Sequence, residues 1–170
     1  PIKGFHRRYP SNGEKRTLFA AGGSVYSAQD NGTVTEIDSS LNAGADVVRF
    51  AYMDDKSFYC NGINAPKQFD GTSVTNLTGA PLGASLLKIH QGRVFALTDK
   101  VLFRFSDLYD PYSWPSVNFF YVPDPKSNDP VTGARTFQDN FLIFTHETKH
   151  IIIGSDISTN NRKEAVGTKG

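Results

Sequence analysis

The sequence predicts an all-β protein, a propeller-like stack of antiparallel meander blades of about 40 residues each, partial or a fragment of a longer propeller. Three observations predict it. Short runs rich in Val, Ile, Phe, Tyr and Leu recur between turn signals, the pattern of strands rather than of amphipathic helices. Gly (15) and Pro (9) punctuate the 170 residues every few positions. A repeat also runs along the chain: Asn31-Gly32-Thr33-Val34-Thr35-Glu36-Ile37 resembles Asp70-Gly71-Thr72-Ser73-Val74-Thr75-Asn76-Leu77, and Gly32 lies 39 residues before Gly71.

The composition bounds the rest. Hydrophobic residues are 38% and charged residues 21%, so wholesale disorder is not expected. The formal net charge of +1 gives no field that would draw nucleic acid or an anionic membrane. No apolar run approaches the roughly 18 residues of a membrane helix. The N-terminus has no signal-peptide core and no initiating Met, which reads as a processed or truncated chain. The single Cys60 excludes an intrachain disulfide and fits assembly in a reducing cytoplasm.

Residues 1–16 carry Lys3, His6, Arg7, Arg8, Lys15 and Arg16 with Phe5 and Tyr9, and show no period. They read as an extended arm that docks on a neighbouring subunit; a solvated terminus and a short basic–aromatic nucleic-acid patch are the other readings. Strands follow at 17–21, 24–28 and 33–37, joined by Gly22-Gly23 and Asp30-Asn31-Gly32. After a loop at 38–46 come strands at 47–53, 57–60, 65–69 and 73–77, with turns at Asp54-Asp55, Asn61-Gly62 and Asp70-Gly71. Strands at 86–90, 93–98 and 101–105 lead to an aromatic, proline-rich connector at 106–125. A last hairpin pairs 141–145 with 150–153. Strands bearing an apolar–aromatic pair mark four blade starts, at Val25-Tyr26, Phe58-Tyr59, Val94-Phe95 and Phe141-Leu142. Blades thus occupy 17–154, and 155–170 is a polar tail or the start of a further segment. On the strand at 141–145, Phe141 and Ile143 should share one face and Leu142 and Phe144 the other, both buried between blades.

No motif for catalysis stands out. There is no nucleophile elbow, phosphate loop or cysteine pair for zinc. His146 and His150 flank a turn without a third ligand. Asp124, Asn128 and Asp129 offer oxygen ligands at irregular spacing, and a proline-fixed acidic loop is the simpler reading. Residues 27–33 faintly resemble the Asp-box turn of sialidase-type propellers, but the spacing is one residue too long, so they read as a turn. Asp54 and Asp55 sit on one turn and should point apart, unlike a glycosidase pair. The chain is expected to be no enzyme and to hold no cofactor or metal. The connector is the most surface-like stretch, with Tyr109, Tyr112, Trp114, Phe119, Phe120 and Tyr121 beside Pro111 and Pro115. It reads as a plug between blades, a protein-interface hot spot or a sugar-stacking platform.

Five segments stand out: Gly92-Arg93-Val94-Phe95, Phe105-Ser106-Asp107, Tyr109-Asp110-Pro111-Tyr112-Ser113-Trp114-Pro115, Asp129-Pro130-Val131-Thr132-Gly133 and, at the N-terminus, Gly4-Phe5-His6-Arg7-Arg8-Tyr9. Together they resemble a family of virion proteins of tailed bacteriophages. The resemblance implies a β-propeller subunit of the tail hub or head-to-tail stabilisation type. It implies a structural role in a tail or portal–tail assembly, made in the host cytoplasm and located in the virion tail or neck. Other virion proteins and a homo-oligomeric ring are the expected partners, without nucleic acid or membrane. Phe5, Arg7, Arg8, Tyr9, Tyr109, Tyr112, Trp114, Phe119 and Tyr121 are the candidate interface. The alternatives are a carbohydrate-binding or glycan-degrading propeller at a tail tip, with host glycan the less favoured partner, and a cellular protein-interaction propeller.

Overall fold

The computed structural model describes residues 1–122 and 129–153, with 162–165 as backbone. Its strands form four antiparallel sheets, each a meander in chain order. The first contains β1 (Ile2–Arg8), β2 (Arg16–Ala21), β3 (Ser24–Gln29) and β4 (Val34–Asp38). The second contains β5 (Arg49–Met53), β6 (Lys56–Cys60), β7 (Lys67–Phe69) and β8 (Val74–Asn76). The third contains β9 (Leu86–His90), β10 (Arg93–Leu97), β11 (Leu102–Phe105) and β12 (Phe119–Tyr121). The fourth contains β13 (Val131–Phe137), β14 (Asn140–Thr145), β15 (Lys149–Ile153) and β16 (Arg162–Ala165). The first strands of successive sheets pack side by side, β1 on β5, β5 on β9 and β9 on β13. The sheets are therefore blades arranged in succession around an axis, as expected from the sequence.

Three apolar clusters fill the three junctions. Leu18, Ala20, Val25, Tyr59 and Phe69 join blades 1 and 2. Met53, Phe58, Cys60, Leu87 and Val94 join blades 2 and 3. Phe95, Phe103, Phe120, Phe141 and Ile143 join blades 3 and 4. Among the described residues no cluster joins blade 4 to blade 1, so the stack is a partial propeller. The second strands record this directly. β6 and β10 are buried at four successive positions, because each has a blade on both sides. β2 and β14 alternate, because among the described residues each has a blade on one side only. Phe141 and Ile143 do share a buried face, but Leu142 and Phe144 face outward at the end of the stack and are only partly buried.

The sequence reading of 1–16 as an arm is corrected by β1, which pairs along its length with β2, Phe5 opposite Phe19 and Arg8 opposite Arg16. The inward positions of β1 are Gly4, His6 and Arg8, so no apolar alternation betrays the strand. Gly4 is required by close approach: a Cβ there would lie 2.0 Å from the Val48 carbonyl oxygen, beside the bond that the Val48 amide donates to the Lys3 carbonyl at 2.9 Å. With β1 as its first strand, blade 1 shifts the repeat by one strand in the first unit. Val25-Tyr26 lie on the third strand of blade 1, and the counterpart of Phe58-Tyr59 is Leu18-Phe19 on the second. The connector at 106–125 likewise contains an outer strand, β12, whose Phe119 lies opposite Arg104 and Tyr121 opposite Leu102. β13 carries little apolar signal, since Thr132, Gly133, Arg135 and Thr136 make up most of it. Within the tail at 155–170, β16 pairs with β15; the rest of that segment lies outside the described residues.

Candidate protein-binding surface

Phe5 stands on the outward face of blade 1, 77% exposed. Arg7 shares that face, donating to Thr17 Oγ1 at 2.9 Å and pairing with Asp30. Hydrogen bonding to Asp30 raises its pKa. Its guanidinium also lies 5.9 Å from the centre of the Tyr9 ring. Arg8 is corrected as a surface contact: it is buried, and Nη2 donates to the Asp55 and Asp70 carbonyls at 2.8 and 3.3 Å. Its guanidinium lies 5.2 Å from the Phe69 ring centre, a cation–π wedge between blades 1 and 2.

His6, on the same inward face, stacks on Phe50 at 5.9 Å, and its Nε2 is buried without a hydrogen-bond partner. Burial, and then the charges of Arg8 and Lys88, hold its pKa below the usual histidine value. The unfolded chain binds this proton first as pH falls through about 6.5, so the neutral ring's contribution is full above that pH and lost on the acid side. The urea midpoint of the wild-type chain should therefore drop between about pH 7.5 and about pH 5.5, and His6→Gln should flatten part of that slope. Equal slopes for the two proteins would remove His6 from the pH response.

The connector separates into two parts. Its first half is packed down. Trp114 Nε1 donates to the Pro111 carbonyl at 2.7 Å, and Tyr112 donates to Gln68 Oε1 at 2.8 Å while accepting from Lys56 Nζ at 2.8 Å. Both rings cover the cluster between blades 2 and 3. Asp107 holds this loop, accepting from Ser113 Oγ at 2.6 Å and Asn118 Nδ2 at 3.1 Å. These bonds, Ser113 first, keep its carboxyl below the usual carboxylate range. Tyr109 has a positive φ of 57° and lies over Gly92, where a Cβ would meet its ring at 2.5 Å; the tyrosine is itself exposed.

The second half of the connector presents a surface. On β12, Phe120 turns into the junction with blade 4, and alternation sends Phe119 and Tyr121 outward, each 46% exposed. Their rings meet edge to face at 5.9 Å. Leu102 and Arg104, directly opposite them on β11, share this face. Aromatics with an arginine on a rigid sheet rim are the residue types that concentrate binding energy at protein interfaces. The sequence reading found Phe119 and Tyr121 but not Leu102 and Arg104, since only strand register brings these together. The nine candidates thus fall at separate places, and no single patch contains them all.

The other candidate groups have structural partners. Asp55 accepts from the Ser11 amide and the Tyr52 hydroxyl at 2.9 Å each and from Ser11 Oγ, which lowers its pKa, Ser11 contributing most. Asp129 accepts from Thr145 Oγ1 at 2.5 Å and the Glu147 amide at 2.9 Å, fastening the turn between β14 and β15. Asp124 and Asn128 lie outside the described residues. His150 Nε2 is 2.8 Å from Thr148 Oγ1. Among the described residues, no three His, Cys, Asp or Glu side chains are grouped to hold a metal ion. Residues 27–33 form a hairpin turn in which the Gln29 amide donates to the Thr33 carbonyl at 2.9 Å. One unpredicted network lies between blades 1 and 2, beside a groove of about 480 Å³ lined by Glu36, Ser40, Lys67 and Val74. There Lys67 Nζ reaches both Asp38 oxygens at 2.9 Å, and the Tyr59 hydroxyl donates to Asp38 at 2.8 Å. Burial alone would raise the Asp38 pKa, but the bonds from Lys67, Ser40 and Tyr59 outweigh it, so the carboxyl stays below its ordinary value.

This architecture has solved counterparts. The structure of YCF48 bound to D1 peptide superimposes with a TM-score of 0.63 at 8% identity, covering 89% of this chain and 50% of that one. The fold is that of a β-propeller. Virginiamycin B lyase from Staphylococcus aureus gives a TM-score of 0.63 at 13% identity, over 96% of this chain and 55% of the lyase. The computationally designed Ika4 protein gives 0.62 at 11% identity, over 91% of this chain and 92% of Ika4. The chain spans about half the length of YCF48 and the lyase. No family model matches the sequence, and no curated protein does.

Proposed function

We propose that this chain is a protein-binding β-propeller module with a structural rather than a catalytic role. The observation that carries the reading is the exposed, edge-to-face Phe119–Tyr121 pair beside Leu102 and Arg104 on the rim of blade 3. Ring stiffness limits the entropy lost when such a pair is covered, and the arginine adds directional hydrogen bonds at its border. The finer form of the proposal is a subunit of a bacteriophage tail or portal–tail assembly. It rests on the resemblance of the segments around Phe105-Ser106-Asp107 and Tyr109–Pro115. Those segments act as scaffold here, with Asp107 and Trp114 fixing the loop that delivers β12. A cellular protein-interaction propeller is the second reading, favoured by the likeness to a propeller solved with a bound peptide.

Gold-labelled antibody against the chain, applied to purified phage particles, tests the finer reading: label at the tail or neck supports it, and bare particles overturn it. The coarser reading is tested separately by photocrosslinkers at positions 119 and 121. Crosslinks to one protein species, lost on Arg104→Ala with the thermal unfolding curve unchanged, are the expected result. Crosslinking indistinguishable from that at a control position on another blade would sink it.

A further inference from the structure

Blades 2 and 3 correspond strand for strand, and Arg104 holds in blade 3 the place of Lys67 in blade 2. The turn between first and second strands sets the register: Met53 pairs with Lys56 in blade 2 as His90 pairs with Arg93 in blade 3. Tyr59 therefore matches Ala96, and their cross-strand partners are Lys67 and Arg104. Both cations lie on the side of the preceding blade. Phe103 and Phe105, the neighbours of Arg104, turn into the junction with blade 4, while Ala96 lies in the cluster between blades 2 and 3. Lys67 is neutralised at this place: Asp38 on the outer strand of blade 1 accepts from its ammonium at 2.9 Å, and the Tyr59 hydroxyl completes the network. Asp38 stands opposite Val25, the counterpart of Pro66, so its own counterpart in blade 2 is Leu77, whose amide donates to the Pro66 carbonyl at 2.8 Å. Between blades 2 and 3, the trio Asp38, Tyr59 and Lys67 is thus replaced by Leu77, Ala96 and Arg104. The cation is kept and its acid is gone.

We propose that the protein partner at this rim supplies the missing carboxylate, an aspartate or glutamate side chain flanked by apolar residues, which Arg104 holds while Phe119, Tyr121 and Leu102 cover the apolar flanks. The inference rests on the reading of this rim as a protein-binding surface and names what binds there. Arg104 is partly buried, and among the described residues no carboxylate pairs with it. The acids nearest along the chain are already engaged, Asp107 by Ser113 and Asn118 and Asp110 by the Tyr112 amide. Phe119, directly opposite Arg104, replaces the polar Asn76 that stands opposite Lys67, so the rim of blade 3 has gained an apolar surround as it lost its acid. A guanidinium fork in such a surround matches a carboxylate with two parallel hydrogen bonds, strengthened by exclusion of water. One cation among apolar groups suits a singly charged side chain; a phosphate would call for several.

NMR of the 170-residue chain, which detects weak binding, is the test. The probes are two short peptides, one alternating leucine with glutamate and one alternating leucine with glutamine. The Arg104 Nε–H signal should shift with the glutamate peptide, which should bind about tenfold more tightly than its glutamine twin. Added salt should shrink that preference. Arg104→Gln should abolish it with the thermal unfolding curve unchanged, Arg104→Lys should keep only part of it, and Phe119→Ala should weaken both peptides alike. Equal binding of the two peptides, no shift of the Arg104 signal, or a preference that survives Arg104→Gln overturns the proposal. A rim that crosslinks one protein through positions 119 and 121 yet treats the two peptides alike keeps the interface and loses the carboxylate. Absence of those crosslinks sinks the interface itself, and the carboxylate with it.

Discussion

Phe95→Ala is expected to lower unfolding stability by about 3–5 kcal/mol, a large part of what a domain of this size possesses. The ring is fully buried and meets four others: Phe141 at 4.8 Å, Phe105 at 5.4 Å, His90 at 6.1 Å and Phe120 at 6.2 Å. These belong to both blades 3 and 4, so collapse around the cavity would have to shift two sheets at once. Phe95→Leu keeps most of the volume and should cost about 1 kcal/mol. Urea unfolding of both variants checks the pair. Losses of similar, small size would mean that the junction repacks freely, against the close packing of this cluster.

Asp38→Ala is expected to cost about 3 kcal/mol, because it strands two partners rather than one. Side chains of Asp38 and Lys67 are only 6% and 13% exposed, and the Tyr59 ring has no access to water. Without the carboxylate, a nearly buried ammonium and a buried hydroxyl lose their acceptor. Replacing both charges, as Asp38→Ala with Lys67→Met, should recover much of the loss, since the stranded ammonium is then gone. Non-additivity in this cycle is the diagnostic; two independent, additive losses would show that the pair is not coupled. The acid side offers a further check. The Asp38 pKa is depressed in the folded chain. Its stabilising contribution is thus complete above the unfolded value of about 3.9 and disappears as pH falls through the lower folded value.

Most strands were legible because their alternation is written in apolar residues. Val94, Phe95 and Phe141 announce β10 and β14, and Asp54-Asp55 and Gln91-Gly92 supply the positive φ of the turns between first and second strands. Strands that use other residues inward were not legible. β1 turns Gly4, His6 and Arg8 toward its neighbour, which suits a close approach and a cation–π wedge but gives no hydrophobic period. The rim patch was half legible. Aromatic density flagged Phe119 and Tyr121, whereas Leu102 and Arg104 join them through a cross-strand register that composition does not encode. Trp114 and Tyr112 drew notice as aromatics, yet their roles depend on Pro111, Gln68 and Lys56, which only the folded loop brings within reach. The Asp38–Lys67–Tyr59 network spans 21 and 29 residues along the chain, and no local motif marks it.

Among the described residues, three separate clusters, each shared by two neighbouring blades, make this a chain of nearest-neighbour couplings. Cooperativity in such an array is transmitted blade to blade, as in a one-dimensional lattice. The inner blades are held by two junctions and the outer blades by one. Amide protons of β6 and β10 should therefore exchange last, and fraying should begin at β1–β4 and β13–β15 and advance inward. A mutation in one junction is felt most by the sheets on either side of it. A molecule of this kind can lengthen, shorten or recombine by whole blades without redesign of the blades that remain.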